Sequence, residues 1–195
     1  MNRRERGRPV RTKRGAVAVL LAVGLALAAG AAALGERLFE LEARRIVGVG
    51  FPGGRVDVDV AVTAAERRAG LAGVPHLPAD RGLLFVYPDT RPRSFTARGM
   101  LFPIDVVAIS GKGRPERGGL VTAVGTHLPG EDSFDTGPAR YVLEVNAGWA
   151  EAHGVVPGTP VALVLRGEGP AGPEGPPGPE EPPGQEEPPG QEGPP

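Results

Sequence analysis

The 195-residue chain contains no cysteine, which excludes disulfides, thiolate metal sites, cysteine nucleophiles and a lipidated N-terminal Cys. It also has no net charge worth the name, with 22 basic side chains against 23 acidic ones. The balance holds locally: residues 46–166 carry twelve of each sign, so the central region lacks the basic footprint that nucleic-acid binding needs. Aromatics are few, and the single Trp, Trp149, is read as core rather than as a stacking platform. The three histidines, His76, His127 and His153, lie far apart with no metal-ligand spacing, and no metal or cofactor is expected. Ser94, Ser110 and Ser133 lie outside any Gly-x-Ser-x-Gly elbow. No Gly-rich phosphate loop occurs, and Gly111-Lys112-Gly113 reads as a hairpin turn. Strands and helices do not alternate over any long stretch, which excludes a dinucleotide-binding sheet.

The two ends differ from this middle. Residues 1–15 form a basic head with seven Arg and Lys side chains and one Glu. An uncharged run, residues 16–34, follows; its 19 residues make a helix of roughly 28 Å, enough to cross a hydrocarbon core. The head stays cytoplasmic by the positive-inside rule, so the rest of the chain is exported. The run reads first as an uncleaved single-pass anchor. The alternative is a signal peptide cut after Ala31-Ala32-Ala33, which leaves the domain periplasmic or secreted. Residues 35–49 read as a stalk, ended by Pro52, Gly53 and Gly54. Residues 167–195 hold eleven Pro, eight Gly and seven Glu with no large aliphatic side chain, so this acidic tail is expected to be disordered. Its glycines fall on a three-residue period that Glu181 and Glu187 interrupt, too broken for a collagen-like trimer.

The expected domain is residues 50–166. In residues 55–62, Val56, Val58, Val60 and Val62 alternate with Arg55, Asp57 and Asp59, the pattern of a half-buried strand. Thr63 and Glu66 form a capping box that opens a helix closed by Gly73. Further strands are expected at 82–87, 93–98, 104–110, 120–127, 141–146 and 161–165, with a second short helix at 147–153 capped by Asn146. Seven short strands and two short helices predict an α+β, mainly β fold: a small, barrel-like, mostly antiparallel domain.

These residues resemble a known family. The run TAAERRAGLAGVPHLPADRGLLFVYPDTRPRSF, then FPIDVVAI, then GPARYVLEVNAGWAEAHGVVPGTPV, is similar to the domain of unknown function 192 (DUF192) family over about residues 56–165. The most specific pieces are Gly70-Leu71 with Arg81-Gly82-Leu83-Leu84-Phe85, the Pro103-Ile104-Asp105 step, and Ala139-Arg140-Tyr141-Val142-Leu143-Glu144 followed by Val145-Asn146-Ala147-Gly148. The SFWMKN-like segment usual in the family stands here as Ser94, Phe95, Thr96, Ala97, Arg98 and Gly99, an altered surface. The resemblance implies the fold and no particular chemistry.

Among candidate site residues Asp105 stands first. Residues 104–110 are apolar on both faces, and Asp105 shares its face with Val107 and Ile109, where a carboxylate needs a partner. Arg98 and Arg140 are the expected partners of a ligand-binding carboxylate–arginine site; the competing reading is a structural ion pair or capping carboxylate. Arg91, Arg93 and Arg98 read as charges on a solvated edge strand. Glu131, Asp132 and Asp135 read as a solvated acidic loop. The leading functional expectation is a non-enzymatic, membrane-tethered domain at the cell envelope that binds a small molecule or another envelope protein. One alternative is an enzyme with an acid–base site near Asp105, Arg98 and Arg140. The other is an interaction scaffold that works through its tail.

Overall fold

The computed structural model describes residues 13–111, 118–130 and 133–167, with side chains from residue 22 onward. Three sequence expectations therefore lie outside the described residues: most of the basic head and of the acidic tail, the turn at Lys112, and the acidic loop at Glu131 and Asp132.

Helix α1 (Lys13–Ala43) runs without a break from the apolar segment through Ala43. Its stretch Ala22–Ala43, 22 residues, is long and apolar enough to cross a membrane; its end docks on the barrel, where Ala43 is fully buried and Phe39 packs against the core. The chain then enters a closed barrel. Its strands are β1 (Ile46–Phe51), β2 (Gly54–Ala61), β3 (Arg81–Phe95), β4 (Ile104–Ile109), β5 (Gly119–His127), β6 (Phe134–Asn146) and β7 (Pro160–Leu165). Around the barrel they follow the order β1-β2-β3-β6-β4-β5-β7, and β7 pairs back onto β1. All neighbours are antiparallel except β2 and β3. That parallel step needs a crossover, and helix α2 (Ala64–Ala69) with the loop to residue 80 supplies it. Helix α3 (Trp149–Ala152) joins β6 to β7. The mainly β, mostly antiparallel, barrel-like expectation is met.

Three local expectations are corrected. Residues 46–49, read as the end of the stalk, belong with Gly50 and Phe51 to β1; Ile46 and Val49 are buried in the barrel, and Pro52-Gly53 is the β1–β2 turn. The strands expected at 82–87 and 93–98 are one long strand, β3, although it contains Pro88 and Pro92. Proline is tolerated there because beyond Val86 the strand pairs only with β6, leaving its other edge free. Asn146 does not cap α3; its side-chain amide donates to the carbonyls of Leu77 at 2.9 Å and Pro78 at 3.3 Å.

Side chains fill the barrel interior: Val49, Val56, Leu84, Val107, Ile109, Tyr141, Leu143 and Val145 are fully buried in one cluster. A ligand has no room inside, as in other small barrels. Trp149 caps one end, edge-on to Phe51 and stacked on His153. A second apolar layer lies outside the sheet. There Phe85, Val106, Ala108, Ala139 and Val142 face outward from β3, β4 and β6 and are covered by Leu71, Ala97 and Met100. The covering segments are tied together by the Gly73 amide, which donates to the Gly99 carbonyl at 2.8 Å.

The capping box of α2 is present as expected. Glu66 N–H donates to Thr63 Oγ1 at 3.2 Å, and Glu66 Oε2 accepts from the amides of Val62 and Thr63, each at 2.9 Å. Gly70, not Gly73, ends the helix. Glu66 Oε1 also accepts from Arg44 at 2.7 Å, which ties the end of α1 to α2. The Thr63 amide, followed by Arg44, holds the Glu66 carboxyl down to about 2 from its ordinary 4.5. A depressed carboxyl stabilises the fold above its unfolded value and loses that contribution as pH falls from 4.5 toward 2. Glu66→Ala should therefore lower stability by about 1 kcal/mol at pH 7, the scale of a lost cap, because solvent screens the ionic part of this exposed side chain. Urea midpoints of the two proteins should converge between pH 4 and about 2. A constant gap would place the effect in packing instead.

Candidate functional site

Two carboxylates are buried among the described residues, Asp105 at 1% exposure and Glu144 at 4%. Their surroundings differ. Asp105, second in β4, lies opposite Thr126 of β5 and Val145 of β6. Its Oδ1 accepts from Thr126 Oγ1 at 2.6 Å, and its Oδ2 accepts from the Ala150 amide at 2.9 Å. Helix α3 has no side-chain cap of its own, since Gly148 precedes it at φ 85°, so a carboxylate from another strand serves its first turn. Both oxygens are occupied by structural donors. Asp105 does border a shallow cavity of about 290 Å³ with Thr126, Gly148 and Glu151.

The expected pairing of Asp105 with Arg98 or Arg140 is not formed; the two bonds just named are what hold its carboxylate. Arg140 lies on β6 with its stem across Gly111 and its guanidinium 5.8 Å from the centre of the Tyr141 ring. Arg98 belongs to a different place, the wall of a cavity on the opposite, outer layer of the sheet. Arg91 and Arg93 both pair with Asp89 on the free edge of β3, as charged side chains on an edge strand should.

That outer cavity has a volume of about 400 Å³ and reaches solvent. One wall is the end of α2 and the turn after it, from Arg67 to Ala72. A second is the outward face of β3, with Phe85, Tyr87, Ser94 and Phe95. A third is Thr96, Arg98 and Met100, and Ser133 and Glu144 complete the lining. Strand alternation puts Glu144 there. Tyr141, Leu143 and Val145 point into the barrel, so Val142 and Glu144 point out into the covered layer. β6 is a central strand at this point: Glu144 stands between Leu83 of β3 and Val106 of β4.

Glu144 Oε2 is buried and has no hydrogen-bond partner among the described residues. Burial pushes the group up to about 8 from 4.5, so at neutral pH it is mostly the uncharged acid. Tyr87, half-buried beside it, is also raised, mainly by burial, although Arg93 and Arg67 pull the other way. Those guanidiniums lie over the Tyr87 ring at 3.8 Å and 4.8 Å. Arg67 is held in place by the carbonyls of Val62 and Val86. The Phe85 and Phe95 rings meet edge to face at 5.0 Å, and Phe134 stacks behind Phe95. The arrangement is a rigid aromatic floor, one desolvated acid and a rim carrying Arg67, Arg68 and Arg98.

Glu144 was missed from sequence, yet the test that singled out Asp105 applies to it equally. Tyr141-Val142-Leu143-Glu144-Val145 is apolar on both faces except at the carboxylate. The Ser94–Gly99 stretch, read from sequence as an altered surface, supplies Ser94, Phe95, Thr96 and Arg98 to the lining of the cavity.

Comparison with known proteins accords with the fold. The model of the DUF192 family, described as uncharacterized ACR, matches residues 49–163. A crystal structure from Sinorhizobium meliloti, described as that of a candidate transcription regulator, superposes with a TM-score of 0.52 at 27% identity, covering 60% of this chain and 90% of that one. A protein of unknown function from Novosphingobium aromaticivorans gives the same TM-score and identity over 60% of this chain and 84% of its own. No curated protein matches the chain.

Proposed function

This chain belongs to the DUF192 family, and from that premise we propose that it is a non-enzymatic binding domain for a small organic molecule, tethered to the outer face of the membrane by α1. The observation that carries the reading is the cavity of about 400 Å³ into whose lining falls a buried carboxyl oxygen, Glu144 Oε2, without a hydrogen-bond partner among the described residues. An unpaired polar group is costly in an empty site and is relieved by a ligand that supplies the missing hydrogen bond. Catalysis is the weaker reading because the described lining includes no histidine or cysteine, and the hydroxyl of Ser94 meets only the Asp135 carboxylate, to which it donates. The description of the Sinorhizobium protein is not carried over, since twelve basic and twelve acidic side chains over residues 46–166 leave no basic footprint for nucleic acid.

The test is thermal denaturation of the full chain in lipid nanodiscs against a panel of small organic molecules. A ligand at a hundred times its Kd should add ~2.7 kcal/mol and raise Tm by several degrees. Ala69→Trp should abolish that shift, because Ala69 is exposed on α2 and lines the cavity, so the indole fills the mouth without entering the core. A shift that survives this variant places binding elsewhere.

Membrane topology has an equally direct test. The absence of cysteine gives a silent background for labelling. Ala65→Cys, exposed on α2, should react with a membrane-impermeant maleimide in intact cells. Labelling only after lysis would put the domain on the cytoplasmic side.

A further inference from the structure

We propose that two copies of this chain pair in parallel along α1, through a seam of leucines that the barrel leaves uncovered. This rests on the reading of α1 as a retained membrane anchor and is independent of the outer cavity. Leucine stands at every seventh position of the helix, at Leu20, Leu27, Leu34 and Leu41. Gly24, Ala31 and Leu38 fall between them at spacings of four and three. This is the repeat of a left-handed coiled coil, with the four leucines at d and the other three residues at a. Within the bilayer, small residues such as Gly24 and Ala31 let two helices approach closely.

The seam continues past the span, and there it needs a cover. The uncharged run ends at Leu34, and Glu36, Arg37, Glu40 and Glu42 follow, so Leu38 and Leu41 lie outside hydrocarbon. Yet Leu34, Leu38 and Leu41 are 59%, 54% and 64% exposed. The barrel does not shield them because it packs on the other side of the helix. Phe39 and Ala43 meet the core there, and Arg44 pairs with Glu66 at 2.7 Å. At about 100° per residue, the leucine stripe is centred roughly 150° away from Phe39 and Ala43. Each barrel thus rides on the outside of a helix pair, and the seam stays open to a partner.

The charges beside the seam suit a second copy. The basic heads stay on one side of the membrane, so two copies enter it in the same direction. In a parallel pair the g position of one helix faces the e position five residues on in the other. Here those positions hold Arg37 and Glu42, exposed and of opposite charge, and the two-fold relation makes the pair twice. Within its own chain Glu42 has a loose ion pair with Arg45 at 3.6 Å. Arg45 would be the next a position, but α1 ends at Ala43 and the seam ends with it.

Single-cysteine variants of the full chain in lipid vesicles test the pairing against a background that has no cysteine. Under mild oxidation Leu34→Cys, Leu38→Cys and Leu41→Cys should give several times more covalent dimer than Ala33→Cys and Glu36→Cys, which are exposed but off the seam. Arg37→Glu added to Leu41→Cys should lower the dimer yield about fivefold by setting like charges together, and adding Glu42→Arg should restore it. Equal yields at all five positions, the profile of leucines bedded in lipid headgroups, would overturn the pairing. So would a maximum at Ala33 or Glu36, or no rescue by the charge exchange. The reduced chain reports on the anchor separately. If it has lost residues 1–33, the tether reading falls and the pairing with it; a full-length chain with a flat profile sinks the pairing alone.

Discussion

Glu144→Gln is expected to stabilise this protein at pH 7 and to remove most of the pH dependence of its stability between pH 4.5 and 8. Burial raises the Glu144 carboxyl to about 8 from an ordinary 4.5. In that window the unfolded chain has released the proton and the folded chain still holds it, so folding must take up a proton that becomes scarcer as pH rises. The contribution is fully present below pH 4.5, declines through the window and levels off above about 8. Its full span is on the order of 5 kcal/mol, of which roughly 3 kcal/mol is already lost at pH 7. Glutamine carries no proton to lose and keeps the shape, so its stability should be nearly flat over the window. The melting temperature of the variant at pH 7 should exceed that of the wild type by several degrees, and the two should approach each other near pH 4.5. Denaturant titrations at half-unit pH steps measure this directly. Parallel curves for the two proteins would mean that Glu144 ionises normally and that the cavity is wetter than its burial indicates. Glu66 titrates in the opposite sense and below this window, so the two carboxyls are separable by pH alone.

Asp105→Ala should have the opposite sign and a comparable size. The substitution leaves the Ala150 amide and the Thr126 hydroxyl without their acceptor at a buried position. Each unsatisfied donor costs about 1–3 kcal/mol, so a loss of roughly 3 kcal/mol or more is expected in urea denaturation. Helix α3 has no side-chain cap to fall back on, and Trp149 at its start closes the barrel end, so near-ultraviolet circular dichroism of that Trp should change as well. Asp105→Asn should lie between, because one carboxamide oxygen still accepts while its NH2 faces a donor. A loss below about 1 kcal/mol for the alanine variant would contradict the structural role and return Asp105 to the candidate ligand sites.

Features that depend on neighbours in sequence were legible without a structure. The Thr63–Glu66 box is a three-residue relation, the valines at 56, 58, 60 and 62 alternate with the strand period, and the apolar run at 16–34 is a matter of length. The barrel-like class follows from the number and spacing of such strands. Residues 46–49 were read as stalk because Gly48 and Gly50 weaken the strand signal of a short segment that follows directly on the helix; β2 and β7, pairing on either side, make it a strand. Pro88 and Pro92 suggested a break that β6 overrides by pairing along one edge. The count of seven strands came out the same because one strand was missed and one was divided in two.

The site was the least legible part. Asp105 was identified correctly as a carboxylate that must have a partner, since burial in an apolar strand demands one wherever the chain goes. Which partner answers was decided by α3 and β5, elements that meet it only in the closed barrel. For Glu144 the same local pattern led to the contrary outcome: three segments distant in sequence bury it, and none of the described residues brings a donor to Oε2. Sequence alone thus determined the membrane-length helix, the caps, the strand faces and the presence of two carboxylates in apolar strands, because these depend on residue type and period. Tertiary structure alone decided that both oxygens of one carboxylate are bonded while Oε2 of the other meets no partner among the described residues, because solvation and hydrogen-bond partners belong to the space around a side chain and not to its place in the chain.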